Sequence, residues 1–344
     1  MLLTPADPRL HFIAPQPVNR HLPAVRLERF PPEIAGILSG QIGPLANLRS
    51  STGCGVAIAT DSPWLDLRLE RLRHHQPIPQ GLALEIEQAD GRWQSAESPD
   101  LRERDGDLTM RLHSGLLPGE VRPCILWLPP LSTCAITGIG LHDQAQCAAW
   151  QPPEPQWLAL GDSLTQGFST QSPTTTWVHR LMRQWQMPAW NLGIGGVAIH
   201  PEVFAWALDT RRWRLVTIAL GSNNGWREST VGVAADHAQQ LIELVLAGNP
   251  GRIAWCLPPW KPMEDGKGPP EFMGIPLDRA TGARIARVRE ALRTRLAQYP
   301  TVTVLDDLLP HDHRWYADGL HPTAFGFARY AQALASRFDP RTPP

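Results

Sequence analysis

The sequence predicts two kinds of architecture in one chain: a flavodoxin-like, doubly wound α/β domain with a five-stranded parallel sheet, preceded by an all-β sandwich or jelly-roll domain. Three observations carry this reading. Residues 1–150 alternate apolar and polar side chains over short runs broken by Gly, Pro and Asp, the pattern of half-buried antiparallel strands. Beyond a stiff spacer, Gln151-Pro152-Pro153-Glu154-Pro155, short apolar runs alternate instead with helical spacing, the rhythm of βαβ units. Small polar turns stand where several of those runs stop.

In the first part, Gly55–Thr60, Trp64–Leu69, Leu82–Glu87, Asp107–Leu112, Cys124–Leu128 and Ala135–Ile139 read as strands. In the second, apolar runs at 156–160, 189–194, 214–220, 252–257 and 302–306 predict the five parallel strands. Helical patterns around 174–186, 231–247, 278–297 and 323–337 predict the intervening helices. The expected domains are 1–150 and 156–338, joined where proline can continue neither a ladder nor a helix.

Composition narrows the function classes. The 344 residues carry a formal net charge of −1, so no basic footprint argues for nucleic acid or an anionic membrane surface. Five cysteines are scattered without paired spacing, which speaks for small buried hydrophobes and against a disulfide framework or a zinc site. The 14 tryptophans are expected mainly in cores. The N-terminal residues show no basic, apolar leader pattern and no window approaches the ~20 apolar residues of a membrane span, so a cytoplasmic location is expected. Neither metal nor organic cofactor is called for.

Four stretches of the second half form a constellation. They are Gly161-Asp162-Ser163-Leu164, Asn191-Leu192-Gly193-Ile194-Gly195-Gly196, Gly221-Ser222-Asn223-Asn224 and Asp318-Gly319-Leu320-His321-Pro322. Three fall where an apolar run ends, and in a parallel sheet those ends share one edge. Each supplies a part that acyl transfer needs. Ser163 is the candidate nucleophile, His321 the base that activates it, and Asp318 the carboxylate that orients the imidazole. Backbone N–H groups of Ser163 and Gly196, with the Asn223 side-chain amide, are the candidate oxyanion donors.

In order and spacing these blocks resemble the SGNH (GDSL) hydrolase family across roughly residues 156–338. The resemblance implies a serine esterase with Ser163, Asp318 and His321 as its triad and Ser163, Gly196 and Asn223 as its oxyanion hole. It departs from the family at Asn224, where an aspartate is frequent. The first half is similar to the β-sandwich ahead of this domain in certain bacterial esterases, some of which deacetylate sugars. A small-molecule or carbohydrate ester is therefore the expected partner, with acyl transfer between alcohols, or a silent carbohydrate-binding protein, as alternatives.

Other residues have plainer readings. His311 and His313 read as a solvated loop, since no third ligand accompanies them. Asp162 is given a turn role, and His200 either lines the cleft or is structural. The long Pro- and Gly-rich segment 258–276 leaves the sheet near the proposed site, and loops of that length are often functional. Trp226 and Trp260 are expected to flank the cleft and contact substrate.

Overall fold

In the computed structural model, which describes residues 1–75 and 78–342, the chain divides into two compact units. The first comprises Met1–Pro32, Ala46–Glu154 and Thr170–Thr175. The second takes in Glu33–Leu45, Pro155–Ser169 and the chain from Thr176 onward.

Among its described residues the first unit holds ten strands: β1 (Leu2–Leu3), β2 (His11–Ile13), β3 (Gly55–Thr60), β4 (Trp64–His74), β5 (Ala83–Glu87), β6 (Trp93–Glu97), β7 (Gly106–His113), β8 (Arg122–Trp127), β9 (Ser132–Leu141) and β10 (Cys147–Ala148). One antiparallel sheet runs β1-β9-β4-β7 and the other β10-β3-β8-β5-β6, with β2 also on β3. Leu65, Leu67 and Leu69 of β4, Val56 and Ile58 of β3, and Leu84 and Ile86 of β5 alternate into one shared core, which Ile136 and Ile139 of β9 also reach across a register shift against β4. A sheet with one wet face buries every second side chain. Cys54, Cys124 and Cys134 lie in this core as free thiols whose pKa burial pushes up to about 12.

The second unit begins with an excursion from the first part of the sequence, α1 (Ile34–Ile37) and the start of α2 (Ile42–Leu48). Ile34 and Leu38 are buried there, and α1 packs against a helix of the α/β unit. The patterning of residues 1–150 did not predict this, because two short apolar turns carry no long-range address.

The parallel sheet is built from β11 (Trp157–Gly161), β12 (Ala189–Gly193), β13 (Leu215–Ala219), β14 (Arg252–Cys256) and, near the end of the chain, Val302–Leu305. Its order is β12-β11-β13-β14 and then the last strand, so numbering within the unit gives 2-1-3-4-5. That is the flavodoxin-like order, with its switch point beside the first strand. All neighbours are parallel, and β11, β12 and β13 are buried almost throughout, as strands covered on both faces must be. The helices are α3 (Ser163–Gln166), α4 (Trp177–Trp185), α5 (Pro201–Leu208), α6 (Glu228–Ala247), α7 (Arg279–Leu296) and α8 (Ala324–Arg337). Helix α4 packs with α8, while α6 packs with α5 and α7. A small antiparallel hairpin, β15 (Glu271–Phe272) and β16 (Ile275–Pro276), interrupts the long loop, which makes Val302–Leu305 strand β17.

Candidate active site

The site grows from the end of β11. Gly161 closes the strand, and Asp162 caps the short helix α3, its carboxylate accepting from Leu164 N–H at 3.0 Å. The capping role that any serine in such a turn could fill thus belongs to Asp162. Ser163 is the first helical residue, with its side chain free of that task and its N–H without an acceptor among the described residues. Desolvation raises the Asp162 carboxyl above its usual range, opposed by the Leu164 N–H and by the charges of Lys261 and His321.

His321 arrives from the other end of the chain on the turn before α8. Its Nε2 lies 2.9 Å from Ser163 Oγ, and its Nδ1 lies 2.7 Å from Asp318 Oδ2. An ionised carboxylate only accepts, so Nδ1 carries the proton and Nε2 is left to accept from the serine hydroxyl. Asp318 in turn is held by its own turn: Oδ1 accepts from Leu320 N–H at 2.9 Å and His321 N–H at 2.7 Å, while Ser169 Oγ donates to Oδ2 at 3.3 Å. Burial alone would raise the Asp318 carboxyl, but the hydrogen bonds and the facing imidazole outweigh it and hold the carboxyl down to about 2. The imidazole also packs against two rings, Phe168 with centroids 4.8 Å apart and Phe272 of β15 at 5.1 Å, edge-on.

The glycine block is sorted by its polar neighbours. Asn191 Oδ1 accepts from Gly193 N–H at 3.0 Å, and Gln166 Oε1 accepts from Gly195 N–H. Gly196 is exposed, and its N–H has no acceptor among the described residues. Its φ of 85° is one that side chains rarely adopt, and a Cβ there would stand 3.3 Å from Pro44. Gly193 is needed for a different reason: α3 crosses so close to β12 that a Cβ would sit 2.2 Å from Gln166 N.

Asn223 follows β13 on a turn of 3₁₀ helix. Its Nδ2 donates to Val197 O at 3.0 Å, and its Oδ1 accepts from Trp226 Nε1 at 2.6 Å. An amide has two N–H bonds, so one remains after Val197 is served. Asn224, where the resemblance led one to expect an aspartate, is fully buried and neutral-bonded: Oδ1 accepts from Ile199 N–H at 3.0 Å and Nδ2 donates to Thr230 O at 3.2 Å. A carboxylate could not make the second bond.

Trp260 is only 6% exposed and packs on His311, rings 5.3 Å apart and nearly parallel, and edge-on against Tyr316. Trp226 is half-buried beside Asn223, and with Phe272 it borders a small apolar cluster of Met263, Leu277, Ile285 and Leu320. His200 stands at the N-cap position of α5 without a capping side-chain bond, its Nδ1 buried and without a partner among the described residues. His311 and His313 are exposed beside Asp307 and Asp312.

Sequence reading missed four contributors. Phe168 and Phe272 pack against the imidazole, Gln166 claims the Gly195 N–H, and Lys261 is completely buried with its ammonium donating to Leu320 O. Burial pulls the Lys261 pKa down to about 8, against the favourable charges of Asp162, Asp318 and Glu264. The length of loop 258–276 was the available signal for Phe272 and Lys261; nothing local marks Phe168 and Gln166.

An α/β unit of strand order 2-1-3-4-5, with a Ser–His–Asp hydrogen-bonded chain at the ends of its strands, defines the class of SGNH-type hydrolases. Residues 159–329 match the model of the GDSL-like lipase/acylhydrolase family, so the chain carries a domain that belongs to that family. A search of curated proteins found no match. Among solved structures, the chain resembles a salicylyl-acyltransferase from a tetracycline biosynthetic pathway, with TM-score 0.74, 20% identity, and 98% of this chain and 96% of that one covered. It also resembles a GDSL-like lipase from Bacteroides ovatus, with TM-score 0.75, 17% identity and coverage of 98% and 97%. An acetyl xylan esterase from Butyrivibrio proteoclasticus aligns over 99% of both chains at TM-score 0.61 and 10% identity. At such identities the likeness establishes the fold. Among the described residues, no helix is long and apolar enough to cross a membrane.

Proposed function

We propose that the protein is a serine carboxylic-ester hydrolase working through an acyl-enzyme on short acyl esters, with acetylated carbohydrate as the natural substrate class. The observation that carries this reading is the unbroken chain Asp318–His321–Ser163, with links of 2.7 and 2.9 Å, together with Ser163 and Gly196 N–H groups that have no acceptor among the described residues.

In this reading Ser163 Oγ attacks the ester carbonyl as His321 Nε2 takes its proton. The imidazolium that forms is stabilised by Asp318, which stays ionised. The negative oxygen of the tetrahedral intermediate accepts from Ser163 N–H, Gly196 N–H and the free N–H of Asn223 Nδ2, all fixed before substrate arrives. Collapse releases the alcohol, which takes the proton from His321. Water then attacks the acyl-enzyme, His321 acting again as base. Trp226 and Phe272 supply an apolar wall suited to a small acyl group. Trp260 is proposed as a second substrate-shaping residue through the loop it anchors.

The likeness to a salicylyl-acyltransferase favours a second reading, in which an alcohol intercepts the same acyl-enzyme. The two differ in how well water competes at the deacylation step. An ester panel from acetyl to octanoyl, with acetylated sugars, tests the proposal. Turnover favouring acetyl esters, and free acid as the product even with added sugar, is expected. Preference for long chains would overturn the short-acyl reading, and acyl sugar as the main product would establish transfer.

A further inference from the structure

Within the first unit, an open groove of about 760 Å³ lies far in sequence from the Ser163 blocks. Arg26, Arg49, Arg71 and Arg73 line it against a single carboxylate, Glu70. Arg26 is answered by Glu28 at 3.4 Å. The guanidinium groups of Arg49, Arg71 and Arg73 make no hydrogen bond or ion pair with any described residue. Elsewhere the chain readily supplies such partners, as in Arg111–Asp66 and Arg289–Glu264.

The backbone has been bent to make this surface. Strand β4 changes register between Leu69 and Leu72 against β7, and between Glu70 and Arg73 against β9. Arg71 sits in the bulge at φ 54°, a left-handed conformation that costs a non-glycine residue roughly 1–2 kcal/mol. The extra residue lets Leu69 and Leu72, three apart, both enter the core, which strict alternation forbids. It also leaves Arg71 and Arg73 exposed on the outer side. Bulges re-aim side chains in this way, and a strained position kept by an arginine is a reason to look for a ligand.

His75 adds a further group. Its Nε2 is buried and has no hydrogen-bond partner among the described residues. Burial first, then the positive charges of Arg73, His74, Arg26 and Arg49, press its pKa down to about 4. The ring is therefore neutral at neutral pH, in a field set mainly by the surrounding arginines.

We infer that this groove binds a soluble polyanion bearing phosphate or sulfate groups, held by Arg49, Arg71 and Arg73. Guanidinium forks match tetrahedral oxyanions with paired, charge-assisted hydrogen bonds. The volume falls in the range of small-ligand sites, roughly 300–1,000 Å³, and suits a molecule the size of a disaccharide. Leu22, Pro23 and Val25 give it an apolar side on which a sugar ring or other scaffold can rest.

Calorimetric titration of the full-length protein tests this, with pyrophosphate and sucrose octasulfate as probes and sucrose as the uncharged control. Saturable binding of one or both anions, weakening with added salt, is expected, while sucrose gives no heat. Pyrophosphate alone would point to a phosphorylated ligand and the octasulfate alone to a sulfated sugar. The Arg71→Gln/Arg73→Gln double variant, and separately Arg49→Gln, should weaken binding by about tenfold or more. Arg214→Gln, an exposed arginine of the other unit, should bind as wild type, and ester turnover should be unchanged in all of them. Absence of saturable binding to both anions would overturn the inference, and so would undiminished binding in the folded double variant and in Arg49→Gln.

Discussion

Trp226 Nε1 donates to Asn223 Oδ1 at 2.6 Å, and that bond decides which way the asparagine amide faces. With its oxygen held by the indole and one N–H spent on Val197 O, the remaining N–H of Asn223 has one direction to point. A residue expected to touch substrate thus also sets the geometry of a proposed oxyanion donor.

Trp226→Phe keeps the ring and removes the bond. Deleting an oxyanion donor outright costs about 10²–10³ in rate, and a donor left free to rotate should cost less. We expect kcat for p-nitrophenyl acetate to fall about tenfold, with KM little changed, because the interaction strengthens only in the transition state. An unchanged kcat would show that Asn223 needs no such support.

Asp318 makes acid stability readable. Its carboxyl is held at about 2, below the ordinary 3.8, by His321 and the turn N–H groups, which outweigh burial. A lowered carboxylate pKa contributes stability above about pH 4, and the contribution is lost as pH falls through about 2. The difference corresponds to about 2 kcal/mol. Asp318→Asn should lose roughly that at neutral pH, and its stability should be flatter than that of wild type between pH 4 and 2. Urea unfolding across that range checks it.

Lys261 has the opposite sign. Its ammonium is buried, with the pKa lowered to about 8 from 10.5. Between those values the unfolded chain binds more protons than the folded one, so this group makes stability rise with pH from about 8 to 10.5. Lys261→Met should flatten that rise. The same variant frees Leu320 O, next to His321, and kcat should drop several-fold. A wild-type-like pH slope in Lys261→Met would contradict this.

The parallel sheet and the polar blocks were legible because their signals are local. A buried parallel strand is a short apolar run, and Gly161, Gly193 and Asn223 mark where such runs stop. Helix α5 escaped notice because Pro201–Leu208 is apolar on nearly every side and shows no helical stripe. Strand β4 reads as Trp64–Leu69 in sequence but continues to His74, because the bulge breaks its alternation. Phe272 and Lys261 come from a loop without periodicity, so their approach to His321 and Leu320 depends on tertiary packing alone. Gln166 resembles an ordinary helix residue until the glycine loop folds onto it.

Covalent labelling tests the account's central claim most directly. A fluorophosphonate reacts with a serine only when a base and an oxyanion site activate it. Intact-mass and peptide analysis of the native protein should show one adduct, located on Ser163, and none in Ser163→Ala or His321→Asn, with both variants folded. A wild-type protein that takes no label, or Ser163→Ala that still hydrolyses p-nitrophenyl acetate at the wild-type rate, would contradict it.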